Sequence, residues 1–415
     1  MAFRFLHTAD LHLDSPLRTL ALRDAELGAS VANATRQAFL RIVEACLEER
    51  VDALVIAGDL YDGEIRSMAT PLFIGREFRR LAEAGIAVFI VRGNHDAEAS
   101  VTRHLSLPDN VTVFSGHGGH RLIEASGVAI HGVSFPKGRV EASLLPKFGA
   151  PVQGVVNIGI LHTSLAGAEG HDVYAPCTVA GLVAHGFDYW ALGHVHKRQV
   201  HATRPFVVMP GMPQGRDAGE AGPKSATLVT IADDRSITLA EVPTAVAEFH
   251  RVPVDLGDAT DWRDVADVMI RALTAARAGL GADVLVARPV LSGTTPLAYA
   301  LRRDADRVLA EARQAASIVG RIAIDKVELQ VSALETKGGP ALDPLAELRG
   351  ALAGDLSPAM AEQARGLIEE LRAALPVEIR DRFGRTEAET MVLATQLLRE
   401  GAADVLARLA DGGEG

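Results

Sequence analysis

The sequence predicts an α/β protein: a two-sheet sandwich flanked by helices, then a smaller second α/β domain and a helical C-terminal region. Three observations carry this. Over the first hundred residues, strand-sized apolar runs alternate with helix-spaced stretches in βαβαβ order, which requires parallel strands joined by crossovers. From Val111 the rhythm changes to short strands and turns, which two stacked sheets accommodate better than one doubly wound sheet. Beyond Pro340 the apolar spacing is helical only.

Taken in order, Phe3 to Thr8 alternates with Phe3, Phe5 and His7 on one face, as a period-two strand does. Asn33 to Arg50 carries Phe39, Ile42, Val43, Cys46 and Leu47 at helical spacing, and Asp52 to Ala57 returns as a short, nearly all-apolar strand. Thr70-Pro71 predicts a cap and a first-turn proline for a helix with Ile74, Phe78 and Leu81 on one side and Gly85 past its end. Ile86 to Val91 reads as a buried strand delivering a loop, Gly93-Asn94-His95-Asp96. Strands follow at Val111 to Phe114, Arg121 to Glu124, Val128 to Val133, Val155 to Leu161, Asp188 to Leu192, Gln199 to Ala202, Phe206 to Met209, Ala226 to Ile231 and Ile237 to Glu241.

Val242-Pro243 suggests a boundary, which makes residues 1–241 the first domain. Residues 242–335 repeat a βαβαβ order: Phe249 to Leu256, a helix over Asp261 to Ala278, Val284 to Leu291, a helix over Leu297 to Ala316, and Ile322 to Val331. Lys337-Gly338-Gly339-Pro340 reads as a linker opening the third region, 336–415. There Ser357-Pro358 caps a helix with Met360, Leu367, Ile368 and Leu371, and Thr386 with Glu389 forms a capping box before Val392, Leu397 and Leu398. Such amphipathic helices serve either the protein's own packing or a partner's docking.

A chain of 415 residues with 48% hydrophobic and 23% charged residues has the material for two or three folded domains. Its longest apolar runs are strand-sized, so no membrane span is expected. Met1 to Leu6 passes straight into a strand pattern without the features of a signal peptide, so a cytoplasmic location is expected. Cys46 and Cys177 are too few for a disulfide framework or a thiolate metal site. Forty-two basic against 53 acidic residues leave a net charge of −11, which argues against a protein that coats nucleic acid non-specifically. A nuclease remains compatible, because a metal centre supplies positive charge where the phosphate must sit. Of the 14 histidines, all but His250 lie at or before His201, so metal chemistry belongs to the first half.

Five clusters sit where strands end: Asp10-Leu11-His12, Gly58-Asp59, Asn94-His95, His162, and His194-Val195-His196. Open α/β sheets place their ligands at the carboxyl ends of strands. Together the clusters offer carboxylate or amide oxygens and imidazoles, a set that suits Mn, Fe or Zn better than Mg or Ca. Seven donors exceed the needs of one ion and match two ions that share a carboxylate. Such a pair, roughly 3.5–4 Å apart, clamps a phosphoryl group and acidifies a bridging water to supply hydroxide near neutral pH.

Asp10-x-His12, Gly58-Asp59, Gly93-Asn94-His95-Asp96, His162 and Gly193-His194-x-His196, in this order, resemble the calcineurin-like metallophosphoesterase superfamily. Within it, Thr8 to Asp14, Gly58 to Asp62 and Tyr189 to Lys197 are similar to the bacterial DNA repair exonuclease branch, the SbcD-like nucleases. His171 to Pro176 and Pro210 to Arg216 are most similar to the YhaO subgroup. The resemblance is strong over about residues 1 to 240; beyond that, it implies a capping, DNA-recognition domain only by size and order.

The resemblance implies a binuclear metal-dependent phosphodiesterase, a metallophosphoesterase sandwich that degrades DNA as an exonuclease, 3′ to 5′, in DNA repair. Asp10, His12 and His196 would bind one ion, Asn94, His162 and His194 the other, and Asp59 would bridge them. His95 would orient the phosphate and protonate the leaving 3′ oxygen. Mn2+ would be preferred, with Fe2+ or Zn2+ as alternatives. Implied partners are DNA and a coiled-coil SbcC-like ATPase docking on Leu345 to Leu409; a homodimer is left open, and no membrane is implied. Two departures stand out: Arg92 replaces a common proline, and Asp62 stands where some relatives carry histidine.

Two other readings compete. A phosphatase or phosphodiesterase acting on small or protein phosphoesters would use the same metals. Those relatives often carry Arg where this chain has Gly63, at the residue after the second Asp, so Gly63 favours diesters. A non-catalytic member of a repair complex would have no need of the full ligand set with His95. His171, Arg216 and Lys224 could meet DNA phosphates but read equally well as surface loops. His7, His104, His117, His120, His131, His185, His201 and His250 read as ordinary core or surface histidines.

Overall fold

A computed structural model describes residues 2–15, 33–63, 68–98, 107–165, 174–333, 357–375, 380, 383–384 and 386–409. His104, His171 and the linker Lys337-Gly338-Gly339-Pro340 lie outside these residues, as do residues 345–356 of the expected docking region. The described residues fall into two compact units, drawn from Met1–Arg251, Arg277–Ala287 and Arg321–Asp325, and from Val252–Ala276, Arg288–Gly320 and Lys326–Gly415. Among the described residues, no helix is long and apolar enough to cross a membrane.

The first unit contains the two predicted sheets. One is built around β1 (Phe3–Thr8), β2 (Ala53–Ala57), β3 (Ala87–Val91) and β4 (Val111–Val113), all parallel, linked through α1 (Ala34–Glu48) and α2 (Ala69–Glu83). A helical turn, α3 (Asn94–Glu98), follows β3 where the sequence suggests a loop. The other sheet is ordered β5 (Gly119–Ile123), β6 (Val128–Val133), β7 (Val156–His162), β8 (Tyr189–Gly193), β10 (Phe206–Met209), β9 (Gln199–Thr203), with a short α4 (Val179–His185) before β8. Its β6, β7, β8 and β10 run parallel. The antiparallel strands β11 (Ser225–Ile231) and β12 (Ile237–Pro243) extend the first sheet beyond β1.

Side-chain alternation explains the layers. Phe3 and Phe5 point between the sheets, where they pack with Val55, Phe89, Ile130, Ile158 and Tyr189. Leu6 points the other way and packs with Leu54, Ile56, Phe39, Ile42 and Cys46 beneath α1 and α2. The outer face of the second sheet buries Leu161, Trp190 and Leu192 with Leu182 of α4. Burying a side chain of this size contributes roughly 1.5–3 kcal/mol, so a one-residue slip in any central strand would exchange the two faces. His7 sits in the inter-sheet layer with Nδ1 3.0 Å from the Tyr189 hydroxyl and Nε2 3.1 Å from the Leu192 carbonyl, and burial pushes its pKa down to about 3. It is a neutral core histidine, as its sequence context suggests.

Local details depart from the sequence reading. The helix over Ala69–Glu83 starts one residue before Thr70, and no side chain caps it; the Thr70 hydroxyl bonds Asp14 instead. The single strand expected over Ile322 to Val331 is two, β15 (Ile322–Ile324) and β16 (Glu328–Ala333). Both pair with β14 (Val284–Thr295), after β13 (Ala247–Asp255) and α5 (Trp262–Ala278). Leu285 opposes Ile322 in the first unit and Val290 opposes Glu328 in the second, an offset that grows from 37 to 38 residues. One inserted residue of this kind is a bulge and breaks the period-two pattern.

In the second unit, the helix expected over Leu297 to Ala316 is α6 (Ala298–Arg303) followed by α7 (Ala305–Val319), jointed at Asp304. Asp is a poor interior helix residue, and here its carboxylate is held by the Arg303 guanidinium at 2.9 Å. The same unit holds α8 (Pro358–Ala374), whose Met360 N–H donates to the Ser357 hydroxyl at 3.2 Å, and α9 (Glu387–Leu409). At the start of α9 the Glu389 N–H donates to the Thr386 hydroxyl at 3.2 Å and the Thr386 N–H donates to Glu389 Oε2 at 3.4 Å, so both halves of the expected capping box form.

Candidate metal centre

The five clusters meet at one end of the sandwich. Asp10, His12, Asp59, Asn94 and His95 stand at the carboxyl ends of β1, β2 and β3, while His162 closes β7 and His194 and His196 follow β8. Backbone bonds stitch these loops together. The Asp10 N–H donates to the Gly58 carbonyl at 3.0 Å and the His12 N–H to the Asp59 carbonyl at 3.1 Å. The His194 N–H reaches both Asp10 carboxylate oxygens at 3.0 and 3.1 Å, tying the second sheet to the first. Asp10, His12, Asp59 and His194 all have positive φ, between 41° and 104°. Left-handed backbone at a non-glycine residue costs about 1–3 kcal/mol and persists only where the surroundings over-determine it.

Glycines make room for the convergence. A methyl group on Gly93 would run into the Asp59 carboxylate, and one on Gly193 into the Ala57 carbonyl. Gly58 has φ +94°, and a side chain there would collide with the His162 ring.

Donor atoms of Asp59, His162 and His194 lie within 4.8 Å of one another, as do those of Asp10, His12 and His196. Asp59 Oδ2 stands between the two sets, 3.3 Å from His162 Nε2 and 4.0 Å from His12 Nε2. Asn94 Oδ1 is 3.1 Å from His162 Nε2. The His95 N–H donates to Asp59 Oδ1 at 3.0 Å, and its ring lies edge-on to His12 with centroids 4.9 Å apart. All seven candidate ligands and His95 therefore share one cluster.

The hydrogen-bond partners fix which ring nitrogens face inward. A carbonyl or carboxylate only accepts. His162 Nδ1 lies 2.9 Å from the Ala57 carbonyl and so carries the hydrogen, which leaves the Nε2 lone pair of the neutral ring facing two oxygens, Asp59 Oδ2 and Asn94 Oδ1. His196 Nδ1 lies 2.8 Å from Glu220 Oε1, and its Nε2 faces His12 Nε2 at 3.2 Å. Lone pairs turned on one another repel unless a proton or a metal cation lies among them. The donor set therefore fits two cations, one at each set.

Electrostatics agree. Burial opposes a charge on His162, but the Asp59 carboxylate beside it, helped by Asp10, lifts its pKa to about 9. Asp59 is deeply buried, yet His162, His12 and His95 hold its carboxyl far below the usual range. Burial pushes His12 down, only partly offset by Asp62 and Asp59, so we assign it as neutral. Its Nδ1 is 3.2 Å from Asp62 Oδ1, an ion-pair distance without good hydrogen-bond direction. Asp96 turns away from the cluster: its carboxylate accepts from the Tyr61 and Gly93 N–H groups at 3.0 Å, and burial with nearby Asp59 raises it to about 6.

Two residues of the site escape the sequence reading. Nothing in the sequence singles out Glu220, and Asp62 stands out there only as a departure; they lie behind His196 and His12. Arg216, a candidate phosphate contact in the sequence, is engaged with Glu220 at 2.8 Å and Asp62 at 3.5 Å. Only the folded turn of residues 218–220 brings Glu220 to His196, and no periodicity announces it.

Residues 3–198 match the calcineurin-like phosphoesterase family model, and residues 249–332 match the middle domain of metallophosphoesterase YhaO. The chain is 34% identical over 303 residues to the uncharacterised metallophosphoesterase YhaO of Bacillus subtilis, covering 70% of this chain and 72% of that one. The chain belongs to the calcineurin-like metallophosphoesterase family. This metallophosphoesterase is also 26% identical over 311 residues to the SbcD component of nuclease SbcCD of Escherichia coli, covering 63% of this chain and 75% of that protein. To the DNA double-strand break repair protein Mre11 of Methanopyrus kandleri it is 27% identical over 237 residues, 51% of this chain and 49% of the other. Family and cluster together support a metal-dependent hydrolase.

Proposed function

We propose that this metallophosphoesterase is an exonuclease that hydrolyses DNA phosphodiester bonds, 3′ to 5′, in DNA repair. One observation carries the reading: Asp59 stands 3.3 Å from His162 Nε2 and 4.0 Å from His12 Nε2, where one carboxylate can serve two cations. Asp10, His12 and His196 would hold one ion and Asn94, His162 and His194 the other, with Mn2+ preferred. When bound, such a pair neutralises the phosphate and supplies an acidified water near neutral pH. His95 orients the phosphate and, as general acid, gives its proton to the 3′ oxygen as the P–O3′ bond breaks and the water oxygen–P bond forms.

Gly63 supports a diester: it lies beside His95, where an added Cβ would stand 3.9 Å from Nδ1, and it supplies no guanidinium there to grip a terminal phosphate. The nuclease and repair names of two relatives support DNA. We assign residues 1–241 as the catalytic domain, 242–335 as a capping domain for DNA recognition and 336–415 as a linker and helical region that docks a coiled-coil SbcC-like ATPase, all in the cytoplasm. Purified protein with Mn2+ is to be assayed on labelled duplex and single-stranded DNA beside a phosphomonoester. Progressive release of mononucleotides is expected; intact DNA with turnover of the monoester would overturn the nuclease reading.

A further inference from the structure

Behind the Asp10, His12 and His196 set lies a group of charged side chains outside the seven candidate ligands, of which Asp62 also has an oxygen within 4.8 Å of ring nitrogens of His12 and His95. His196 Nδ1 is hydrogen-bonded to Glu220 Oε1 at 2.8 Å, and His12 Nδ1 faces Asp62 Oδ1 at an ion-pair distance of 3.2 Å. Between the two carboxylates lies one guanidinium. Arg216 Nη2 donates to Glu220 Oε1 at 2.8 Å and Nε to Oε2 at 3.3 Å, while Nη1 is 3.5 Å from Asp62 Oδ1. The Arg216 backbone N–H also donates to Glu220 Oε2 at 2.8 Å. The His162 ring is backed differently, by the neutral Ala57 carbonyl at 2.9 Å.

We infer that Arg216 is a positioning residue for the first cation, acting through Asp62 and Glu220 to fix the rings of His12 and His196 together. A ligating imidazole presents Nε2 correctly only while Nδ1–H is held by a partner, and such partners tune metal affinity. Here both partners are anionic and stand near Asp10 and Asp59. Without a cation between them, Asp62 and Glu220 repel each other, and one swings out and releases its histidine. Arginine suits the place because its planar fork engages both Glu220 oxygens and still reaches Asp62; lysine supplies the charge but only a single point of contact. The two rings are thus coupled through one side chain.

The inference rests on the two-cation reading, and the test separates them. Manganese(II) alone is titrated into the full chain by calorimetry, with electron paramagnetic resonance to distinguish a coupled pair from a single ion, and circular dichroism to check the fold. Wild type should bind two ions with a coupled-pair spectrum. Arg216→Lys should keep one ion at wild-type affinity and bind the other about 10–100-fold more weakly, with an uncoupled six-line spectrum. Glu220→Gln, whose amide oxygen still accepts from His196, should lose less. Asp62→Asn should add little to Arg216→Lys, because the two act through one network. Two ions bound at wild-type affinity by folded Arg216→Lys would overturn the inference. If Arg216→Lys does not fold, the same question passes to Asp62→Asn and Glu220→Gln: non-additive losses support the coupling, and simply additive ones overturn it. A wild-type chain binding fewer than two ions would overturn the two-cation reading and this inference with it.

Discussion

The His162 Nε2 atom lies 3.3 Å from Asp59 Oδ2, and neither atom has a hydrogen to give the other while Nδ1 is committed to the Ala57 carbonyl. Either a proton or a metal ion must resolve this contact, so the two compete. Without metal, His162 holds its proton up to about pH 9.

Metal binding should therefore release protons. Calorimetry at pH 7.5 in buffers of different ionisation enthalpy is expected to show proton release on Mn2+ binding, and affinity should rise as pH increases toward 9. The metal-free protein follows the opposite sign. The raised His162 pKa gives stability fully present below its unfolded value of 6.5 and lost as pH rises through about 9. The lowered Asp59 pKa gives stability present above 3.8 and lost on acidification. Thermal melts of metal-free protein should thus peak between those two limits and decline by pH 9, whereas the Mn2+-loaded protein should not decline over that range. Identical profiles with and without metal would contradict the assignment.

His95 stands beside the cluster with its backbone N–H on Asp59 and its half-buried ring edge-on to His12. Substituting His95→Ala should leave both ions bound by elemental analysis and lower kcat about 10²–10⁴-fold, the usual contribution of a positioned general acid. Loss of an ion in that variant would show that the ring is a ligand instead.

Gly58 and Gly85 separate site geometry from backbone strain. Both have positive φ, but a methyl on Gly58 collides with His162, while one on Gly85 meets nothing within 4 Å. Gly85→Ala should cost about 1 kcal/mol from backbone conformation alone and leave Mn2+ binding unchanged. Gly58→Ala should lower the melting temperature further and weaken Mn2+ binding, because the ring has to leave the Ala57 carbonyl. Equal effects of the two on metal affinity would refute this account of the site.

The ligands are legible because each ends an apolar strand, and strand ends survive small errors in register. Asp10, Asp59 and Asn94 need only a correct βαβ order to be brought together, and His162 needs the second sheet stacked on the first. Glu220 and Arg216 follow no strand or helix period, and their contact with His196 depends on how residues 210–220 fold back. The left-handed backbone of His12 and His194 is equally hidden, since nothing in a histidine's identity requires it. The break at Asp304 is closer to the surface of the sequence: an aspartate amid apolar helical spacing is a reason to expect a joint.

The C-terminal helices carry the last prediction. On α8 and α9, Leu367 and Val392 are 67% and 68% exposed, whereas Ile368 and Ala394 are buried. Apolar residues held in solvent contribute little to the fold of their own helices, so charging them should leave that fold intact. Leu367→Glu combined with Val392→Glu is expected to preserve the melting temperature within experimental error and to leave DNA hydrolysis by the isolated protein unchanged. If the proposed SbcC-like ATPase docks here, the same pair should lower co-purification with it at least tenfold, because a docking helix binds through its exposed apolar face. A lower melting temperature would place the two side chains in the protein's own packing. Undiminished co-purification from a well-folded variant would overturn the proposed docking on these helices.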